Sequence, residues 1–263
     1  MEKGRIKVMG QTVKIRNMVL GEGIPKICVP IVGRTEQEVL SSAKQVFEAK
    51  PDIVEWRMDF WQGIVEENKL QELLPGVREC LGDLPLLCTF RTKGEGGEQE
   101  ISREKYVELN QMVIYSKMAD ALDVEFFLGE ETVKPLLAAA HKAGMTVIGS
   151  NHDFSKTPAK EEIIRRLCKM QEMGMDVAKI AVMPQSEADV LTLLDATREM
   201  KEKHTDSPVI TMSMGAKGVI SRMTGEIFGS SLTFAMLGKA SAPGQVPLEE
   251  LKYILQKIHV YGG

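Results

Sequence analysis

The stretch Val177-Ala178-Lys179-Ile180-Ala181-Val182-Met183 has the composition of a buried β-strand with one lysine in it. An apolar run of this length, rich in β-branched residues, is typical of a strand that is covered on both faces. The Lys179 side chain would lose its hydration there, so its ammonium must be paired or neutralised. An uncharged, desolvated lysine amine is the usual nucleophile for forming an imine with a ketone or aldehyde. The stretch therefore predicts both a strand and a candidate nucleophile.

Similar short apolar runs recur along the chain and alternate with amphipathic helical patterns. Their spacing averages roughly 30 residues, which is the size of a strand–helix–strand unit. Eight such units fit a closed (β/α)8 TIM barrel better than an open doubly wound sheet. No Gly-x-Gly-x-x-Gly follows the first strand, which disfavours a dinucleotide-binding domain. The predicted strands are 26–32, 52–57, 85–91, 120–125, 146–152, 177–182, 208–213 and 232–237.

One α/β domain is predicted for the whole chain, because no linker or composition shift divides its 263 residues. Residues 1–24 are predicted to form an N-terminal β-hairpin that closes one end of the barrel, and residues 25–263 the barrel itself. The hairpin strands are placed at 6–9 and 13–18, on either side of Gly10-Gln11.

The composition excludes several classes of function. A net charge of −4 offers no basic surface for nucleic acid, and no apolar run reaches the roughly 18 residues of a membrane-spanning helix. The four cysteines form no Cys-x-x-Cys pair and the four histidines have no ligand spacing, so no metal site is expected. Reduced thiols and the lack of an apolar signal core at the N-terminus predict a cytoplasmic protein.

Polar residues at strand ends form the candidate site, since barrel enzymes bind their substrates at the carboxyl ends of the strands. His152 ends the fifth predicted strand and Arg91 the third, while Glu55, Arg57 and Asp59 alternate along one face of the second.

Each of these residues also has a plainer explanation when taken alone. Lys179 is equally a lysine on an edge strand whose amine reaches solvent, although a closed barrel has no edge strand. A histidine before Asp153 is more often a turn residue, and Glu55 and Arg57 could be a simple buried ion pair. Arg222 would by itself be solvated. The combination, with each residue at a strand end, is more specific than any member.

Six segments resemble the type I 3-dehydroquinate dehydratases, the Schiff-base dehydroquinases of the shikimate pathway to aromatic amino acids. The segments occur in the family's order and span nearly the whole chain. They are Glu55-Trp56-Arg57-Met58-Asp59, Thr89-Phe90-Arg91-Thr92-Lys93-Gly94-Glu95-Gly96-Gly97, His152-Asp153-Phe154-x-x-Thr157-Pro158, Lys179-Ile180-Ala181-Val182-Met183-Pro184, Met214-Gly215-x-x-Gly218-x-x-Ser221-Arg222 and Ser241-Ala242-Pro243-Gly244-Gln245.

The resemblance implies a (β/α)8 barrel that removes water from 3-dehydroquinate to give 3-dehydroshikimate. Three residues would form the catalytic set: Lys179 makes an imine with the ring ketone, His152 moves protons, and Glu95 holds His152 by a hydrogen bond. The resemblance also implies a set of residues that bind the substrate. These are Arg222 for the carboxylate, Ser241 and Gln245 closing over the ligand, Glu55, Arg57 and Arg91 for the ring hydroxyls, and Met212 and Phe234 as apolar walls.

The family further implies a homodimer that acts on a small molecule without metal or organic cofactor, and with no nucleic-acid or membrane partner. One departure is visible: some members have a substrate-binding serine at the end of the first strand, where this chain has Pro30. Proline has neither a hydroxyl nor an N–H, so that contact is expected to be absent or replaced.

Two other functions are alternatives to this one. A class I aldolase or transaldolase also uses a strand lysine and an imine, but aldolases of this architecture often need a phosphate site, whereas Arg222 and Gln245 suit a carboxylate. A barrel that only binds an anionic metabolite, or serves as an assembly subunit, would not need both Lys179 and His152.

Overall fold

The computed structural model describes residues 12–66, 68–204, 206–238 and 241–262. Within these residues a short hairpin precedes one curled sheet. The hairpin strands are β1 (Val13–Ile15) and β2 (Met18–Leu20); the sheet strands are β3 (Lys26–Ile31), β4 (Ile53–Arg57), β5 (Leu86–Thr89), β6 (Ala121–Glu125), β7 (Thr146–Asp153), β8 (Val177–Val182), β9 (Val209–Ser213), β10 (Leu232–Met236) and β11 (Val246–Pro247).

The sheet is parallel throughout and closes on itself. Its order is β11-β10-β3-β4-β5-β6-β7-β8-β9, so the strands from β3 to β9 lie side by side in chain order. The β9 and β10 ends meet through a parallel bridge between Val209 and Ser230, and Ser231 donates its N–H to the Val209 carbonyl at 2.9 Å. The predicted (β/α)8 barrel is confirmed.

Helices follow the strands and cover the outside of the barrel. Ser186 caps the N-terminus of one helix and forms a capping box with Asp189. None of the described helices has the length and apolar character needed to cross a membrane. The helices are α1 (Glu36–Ala49), α2 (Lys69–Leu81), α3 (Arg103–Ser116), α4 (Glu130–Lys142), α5 (Lys160–Glu172), α6 (Glu187–Lys203), α7 (Val219–Met223), α8 (Gly225–Phe228) and α9 (Leu248–Gly262).

The strand predictions are close to the observed strands. β8 has the predicted bounds, and the other seven predicted strands begin and end within two residues of their predictions, whereas the two-residue β11 was not predicted. Strands buried on both faces give uninterrupted apolar runs, which explains why their ends were legible in the sequence.

Side chains fill the barrel in layers, because residues two apart along a strand share a face. The lower layer is apolar and includes Ile53, Ala121, Ile148 and Val177, all fully buried. Two residues further along the same four strands stand Glu55, Asp123, Ser150 and Lys179. The interior therefore changes from apolar to charged towards the carboxyl ends of the strands, where barrel enzymes place their sites.

The N-terminal hairpin closes the opposite end of the barrel, as predicted, but the prediction of one strand over 13–18 is wrong. Ile15, Met18 and Leu20 pack against the lower apolar layer, while Arg16 donates to Asp120 at 3.0 Å and to Asp83 at 3.2 Å. The chain turns at Arg16 and Asn17, inside the strand predicted over 13–18. The first predicted strand, 6–9, and the Gly10-Gln11 turn lie outside the described residues.

Candidate active site

A cavity of about 130 Å³ opens at the carboxyl ends of the barrel strands. All eleven predicted site residues line it, so the structure brings the whole set together. They are Glu55, Arg57, Arg91, Glu95, His152, Lys179, Met212, Arg222, Phe234, Ser241 and Gln245. Strands supply six of them, since alternation directs every second side chain inward. Arg91 and Glu95 follow β5, Arg222 comes from α7, and the last two come from the loop after β10.

Lys179 lies deep in this cavity with only 3% of its surface exposed. Its strand, β8, lies between β7 and β9, so the explanation as an edge-strand lysine is excluded. The Lys179 amine donates to Asp123 Oδ2 at 3.0 Å and lies 3.9 Å from Glu55 Oε1. The Phe234 ring centroid is 4.8 Å from the nitrogen and covers it on the apolar side. The amine is thus placed beside anionic oxygens and sheltered from bulk water.

Asp123, which the sequence analysis missed, is the main partner of Lys179. Its fully buried carboxylate also accepts hydrogen bonds from Arg91 Nη2 at 2.7 Å and Ser150 Oγ at 2.6 Å. Burial by itself raises the pKa of Asp123, but the charges of Arg91 and Lys179 outweigh it and hold the pKa below its ordinary value. Asp123 is therefore an anion that fixes the position of the Lys179 amine.

Arg91 is held by carboxylates of the protein. Its Nη1 donates to Glu125 at 3.0 Å and to Ser150 Oγ at 3.0 Å, and its Nη2 donates to Asp123. Burial lowers the pKa of Arg91, yet Asp123 and Glu125 more than offset this and the pKa is raised. The predicted bond from Arg91 to a substrate hydroxyl stays a prediction, while its visible contacts organise the floor of the site.

His152 and Glu95 form the predicted hydrogen-bonded pair. The imidazole Nδ1 lies 2.8 Å from Glu95 Oε2, and the His152 backbone N–H donates to the same oxygen at 3.0 Å. Glu95 Oε2 accepts the backbone N–H, and an ionised carboxylate has no proton to donate. We therefore assign the proton of the neutral ring to Nδ1, which leaves Nε2 with its lone pair. His152 stands opposite Ala181 in the ladder, one inward position above the Ser150–Lys179 pair. The pair is therefore suited to moving a proton near the amine.

Burial shifts the pKa values of both His152 and Glu95. It lowers the pKa of His152 well below its ordinary value, and the nearby Arg91 and Lys179 cations act in the same direction. Burial also raises the pKa of Glu95 to about 7, although Arg91 opposes that shift. A neutral imidazole is the form that accepts a proton, so the resting site has a base in place.

Arg222 is a buried cation with spare donors. Its Nη2 donates to the Pro243 carbonyl at 3.0 Å, and its Nη1 lies 3.8 Å from the Met212 sulfur. Nε is buried and finds no hydrogen-bond partner among the residues that the structure describes. Burial lowers the pKa of Arg222 to about 10. A buried guanidinium with unused donors is costly, and an anionic ligand such as a carboxylate would satisfy it.

Ser241 and Gln245 close the cavity from the loop after β10. Gln245 Oε1 accepts the Ser241 N–H at 2.8 Å, and Gln245 Nε2 donates to Ser241 Oγ at 3.1 Å. Gly244 has a φ of +77°, and a Cβ there would overlap the backbone of Gly215. Glycine is thus required for the loop to approach the strand ends this closely.

Glu55 and Arg57 occupy neighbouring inward positions on β4, and they are not paired with each other. Glu55 Oε1 accepts from Thr89 Oγ1 at 2.9 Å, whereas Arg57 makes a two-bond pair with Asp59 at 2.8 Å for each bond. The alternative of a Glu55–Arg57 ion pair is therefore wrong. Pro30 pairs with Glu55 in the ladder and is buried within β3.

Metal binding has no obvious place in the described parts of the chain. Across them, no three His, Cys, Asp or Glu side chains come together in a group that could hold a metal ion.

Comparison with known proteins links this geometry to one family. The model for type I 3-dehydroquinase matches residues 27–261. The chain is 49% identical over 251 residues to a 3-dehydroquinate dehydratase of Clostridioides difficile, covering 95% of this chain and 98% of that protein. A 3-dehydroquinate dehydratase of Clostridium kluyveri is 52% identical over 254 residues, with 96% and 100% covered.

A solved structure agrees with these sequence matches. The crystal structure of a type I 3-dehydroquinate dehydratase from Clostridium difficile, with covalently modified comenic acid, superimposes with a TM-score of 0.93. It is 49% identical to this chain, and the match covers 96% of this chain and 99% of that one.

Proposed function

The chain belongs to the type I 3-dehydroquinase family, and from this we propose that Lys179 forms an imine with the ketone of 3-dehydroquinate. The chain is a hydro-lyase of the shikimate pathway that converts 3-dehydroquinate to 3-dehydroshikimate. The observation that supports the proposed residue roles best is the sheltered Lys179 amine, 3.0 Å from Asp123 in a cavity shared with His152 and Arg222.

Imine formation needs a neutral amine held against the carbonyl carbon. The attacking nitrogen loses its protons as the imine forms, and His152 is a neutral base in the same cavity that can accept one. The new C–N bond forms, the carbonyl oxygen leaves as water, and the C=N bond then attracts electrons from the neighbouring C–H bond. Asp123 keeps the Lys179 nitrogen in place while the charge on that nitrogen changes.

His152 would then take the proton from the carbon next to the imine. The electron pair moves towards the nitrogen, and the neighbouring hydroxyl leaves as water when His152 returns the proton. Water finally hydrolyses the imine, which frees the product and Lys179. Glu95 acts through His152 by fixing the proton on Nδ1.

The remaining residues would bind the ligand. Arg222 has donors to spare for the substrate carboxylate, and the loop with Ser241 and Gln245 lies over the cavity. Glu55 and Arg57 face the cavity with polar groups suited to ring hydroxyls. Arg91 would bond a further hydroxyl, and Met212 and Phe234 would form walls that keep water from the imine.

Direct measurement of the products tests the proposed reaction against the aldolase alternative. The purified protein should convert 3-dehydroquinate to 3-dehydroshikimate, as seen by mass spectrometry, and should do so with a chelator present. A panel of sugar phosphates should be left intact. Carbon–carbon cleavage without dehydration would favour an aldolase, and ligand binding without any product would favour a binding protein.

Replacing Arg222 by alanine should weaken substrate binding more than it slows the chemistry. Each charge-assisted hydrogen bond contributes about 1.5–3 kcal/mol, so we expect KM to rise about 10- to 100-fold, with a smaller change in kcat. Steady-state kinetics measures both, and Arg165→Ala, on the exposed face of α5, is the matched control. An unchanged KM in Arg222→Ala would contradict the assignment of the carboxylate site.

The pH dependence of kcat/KM should show the titration of Glu95. Because burial raises the pKa of Glu95 to about 7, the carboxylate takes up a proton as the pH falls through that value. It then no longer accepts from His152, so kcat/KM should fall on the acid side of about pH 7. In Glu95→Gln this fall in kcat/KM should shift to another pH or disappear, and much of the rate should be lost. Identical acid limbs in the two proteins would show that another group is titrating.

We also propose that the chain is a single barrel domain, works as a homodimer and resides in the cytoplasm. The dimer and the location are expectations from the family. Helix α9 offers a surface for a second copy, because three of its apolar side chains are exposed: Tyr253, Val260 and Tyr261. Light scattering on the purified chain gives its mass in solution, and a monomer at micromolar concentration would contradict the dimer.

A further inference from the structure

The loop 92–99 between β5 and α3 carries Glu95, and its shape is fixed by its own backbone. Gly97 donates its N–H to the Thr92 carbonyl at 2.9 Å, and a Cβ on Gly97 would overlap the Arg91 carbonyl. Gly96 turns the chain with a φ of +83°. The loop therefore folds back on itself, and its two ends come close together below Glu95.

The first end of the loop is fastened by Glu125. This carboxylate is almost fully buried, and its Oε1 accepts the Thr92 N–H at 2.8 Å. Its Oε2 accepts the Thr92 hydroxyl at 2.7 Å. Both carboxylate oxygens of Glu125 are therefore used on one loop residue, while Arg91 neutralises the charge at 3.0 Å.

The second end of the loop is fastened by Asp59, which is 0% exposed. Its Oδ2 accepts the Glu98 N–H at 3.1 Å, and its Oδ1 accepts the Arg91 N–H at 3.4 Å. Gln99 adds a further bond, donating to the Asp59 carbonyl at 2.8 Å. Asp59 also makes the two-bond pair with Arg57, which lines the cavity.

We propose that Asp59 and Glu125 are positioning residues that clamp the two ends of this loop and so hold Glu95 against His152. The inference rests on the proposed function, since it concerns the proton-transfer pair. The two carboxylates could neutralise Arg57 and Arg91 without touching the loop. In addition to these ion pairs, their oxygens accept from Thr92 and Glu98, one residue at each end.

The Glu95–His152 contact depends on this arrangement because Glu95 sits at the top of the loop. Its carboxylate meets the Nδ1 and the backbone N–H of His152 at 2.8 and 3.0 Å, and Asn151 at 3.2 Å. An imidazole displaced by about 1 Å from its working position can cost on the order of 100-fold in rate. The clamp is thus expected to act on kcat through Glu95.

A double-mutant cycle separates this role from simple support of the fold. We expect Thr92→Val, which removes the hydroxyl bond to Glu125, to lower kcat about 3- to 10-fold with little change in KM. Asp59→Asn should lower kcat about 10- to 100-fold and also raise KM, because it releases Arg57. In a Glu95→Gln background, both effects on kcat should shrink to about twofold or less.

Lys93→Ala is the matched control, since Lys93 is exposed on the same loop and its loss should leave kcat unchanged. Thermal unfolding reports whether each variant is folded. If Asp59→Asn does not fold, Thr92→Val and Gln99→Met still test the two ends separately. Effects on kcat that are as large in Glu95→Gln as in the unmutated chain would overturn the clamp while leaving the dehydratase reaction intact.

Hydrogen exchange gives a second result that does not depend on activity. In Asp59→Asn and Thr92→Val, amides of the segment 92–99 should exchange about tenfold faster or more, with α5 and α6 unchanged. Unchanged exchange in that segment would overturn the clamp even if the protein proved inactive on 3-dehydroquinate. Failure of the unmutated chain to dehydrate 3-dehydroquinate would instead overturn the proposed function.

Discussion

Lys179→Ala should fold and lose essentially all turnover of 3-dehydroquinate, by on the order of 10⁴-fold or more in kcat. Alanine has no nitrogen with which to form the imine, so the C–H bond next to the ketone is no longer acidified by a C=N group. His152 and Arg222 would remain in the cavity, yet they would act on a ketone that is not covalently activated. Steady-state kinetics with mass-spectrometric detection of 3-dehydroshikimate measures the loss.

The matched control is Lys169→Ala, which removes an exposed lysine of α5 and should keep full activity. Asp123 would lose one cation in Lys179→Ala but keep its bonds from Arg91 and Ser150. We therefore expect a native circular dichroism spectrum and a cooperative melt. Ordinary turnover by this variant would refute the role of Lys179.

His152→Ala should lower kcat by about 10²- to 10⁴-fold, the range that a positioned acid–base group contributes. Proton removal from the carbon next to the imine and protonation of the leaving hydroxyl would both slow. The lysine would still be present, so reduction with borohydride should still give a covalent adduct on Lys179. This combination separates the role of His152 from that of Lys179.

His141→Ala is the control for His152→Ala. His141 pairs with Asp176 at 2.9 Å near the surface, and its replacement should leave kcat within about twofold. Equal losses in the two histidine variants would show that the effect of His152→Ala is a general one on folding.

The barrel could be predicted from the sequence because the patterns that indicate its strands and helices are local. A strand covered on both faces shows as an apolar run, and the strand-to-strand spacing gives the repeat. The turn of the hairpin could not be predicted in this way. Arg16 adopts a φ of +54°, which is uncommon for a residue other than glycine, and it contacts Asp83 and Asp120, both distant in sequence.

The residues of the candidate site were predicted more completely than their contacts. All eleven line one cavity, but we did not predict that Asp123 holds Lys179 or that Asp59 and Glu125 fasten the Glu95 loop. These contacts join residues 33 to 56 positions apart and exist only once neighbouring strands pair. Alternation along β6 was a usable signal, since Ala121, Asp123 and Glu125 share its inner face.

Borohydride reduction in the presence of 3-dehydroquinate shows whether Lys179 forms an imine with the substrate. We expect a stable adduct on the peptide that contains Lys179, identified by mass spectrometry, and no adduct there when borohydride is added without substrate. An unmodified Lys179 in protein that is turning over 3-dehydroquinate would contradict the account.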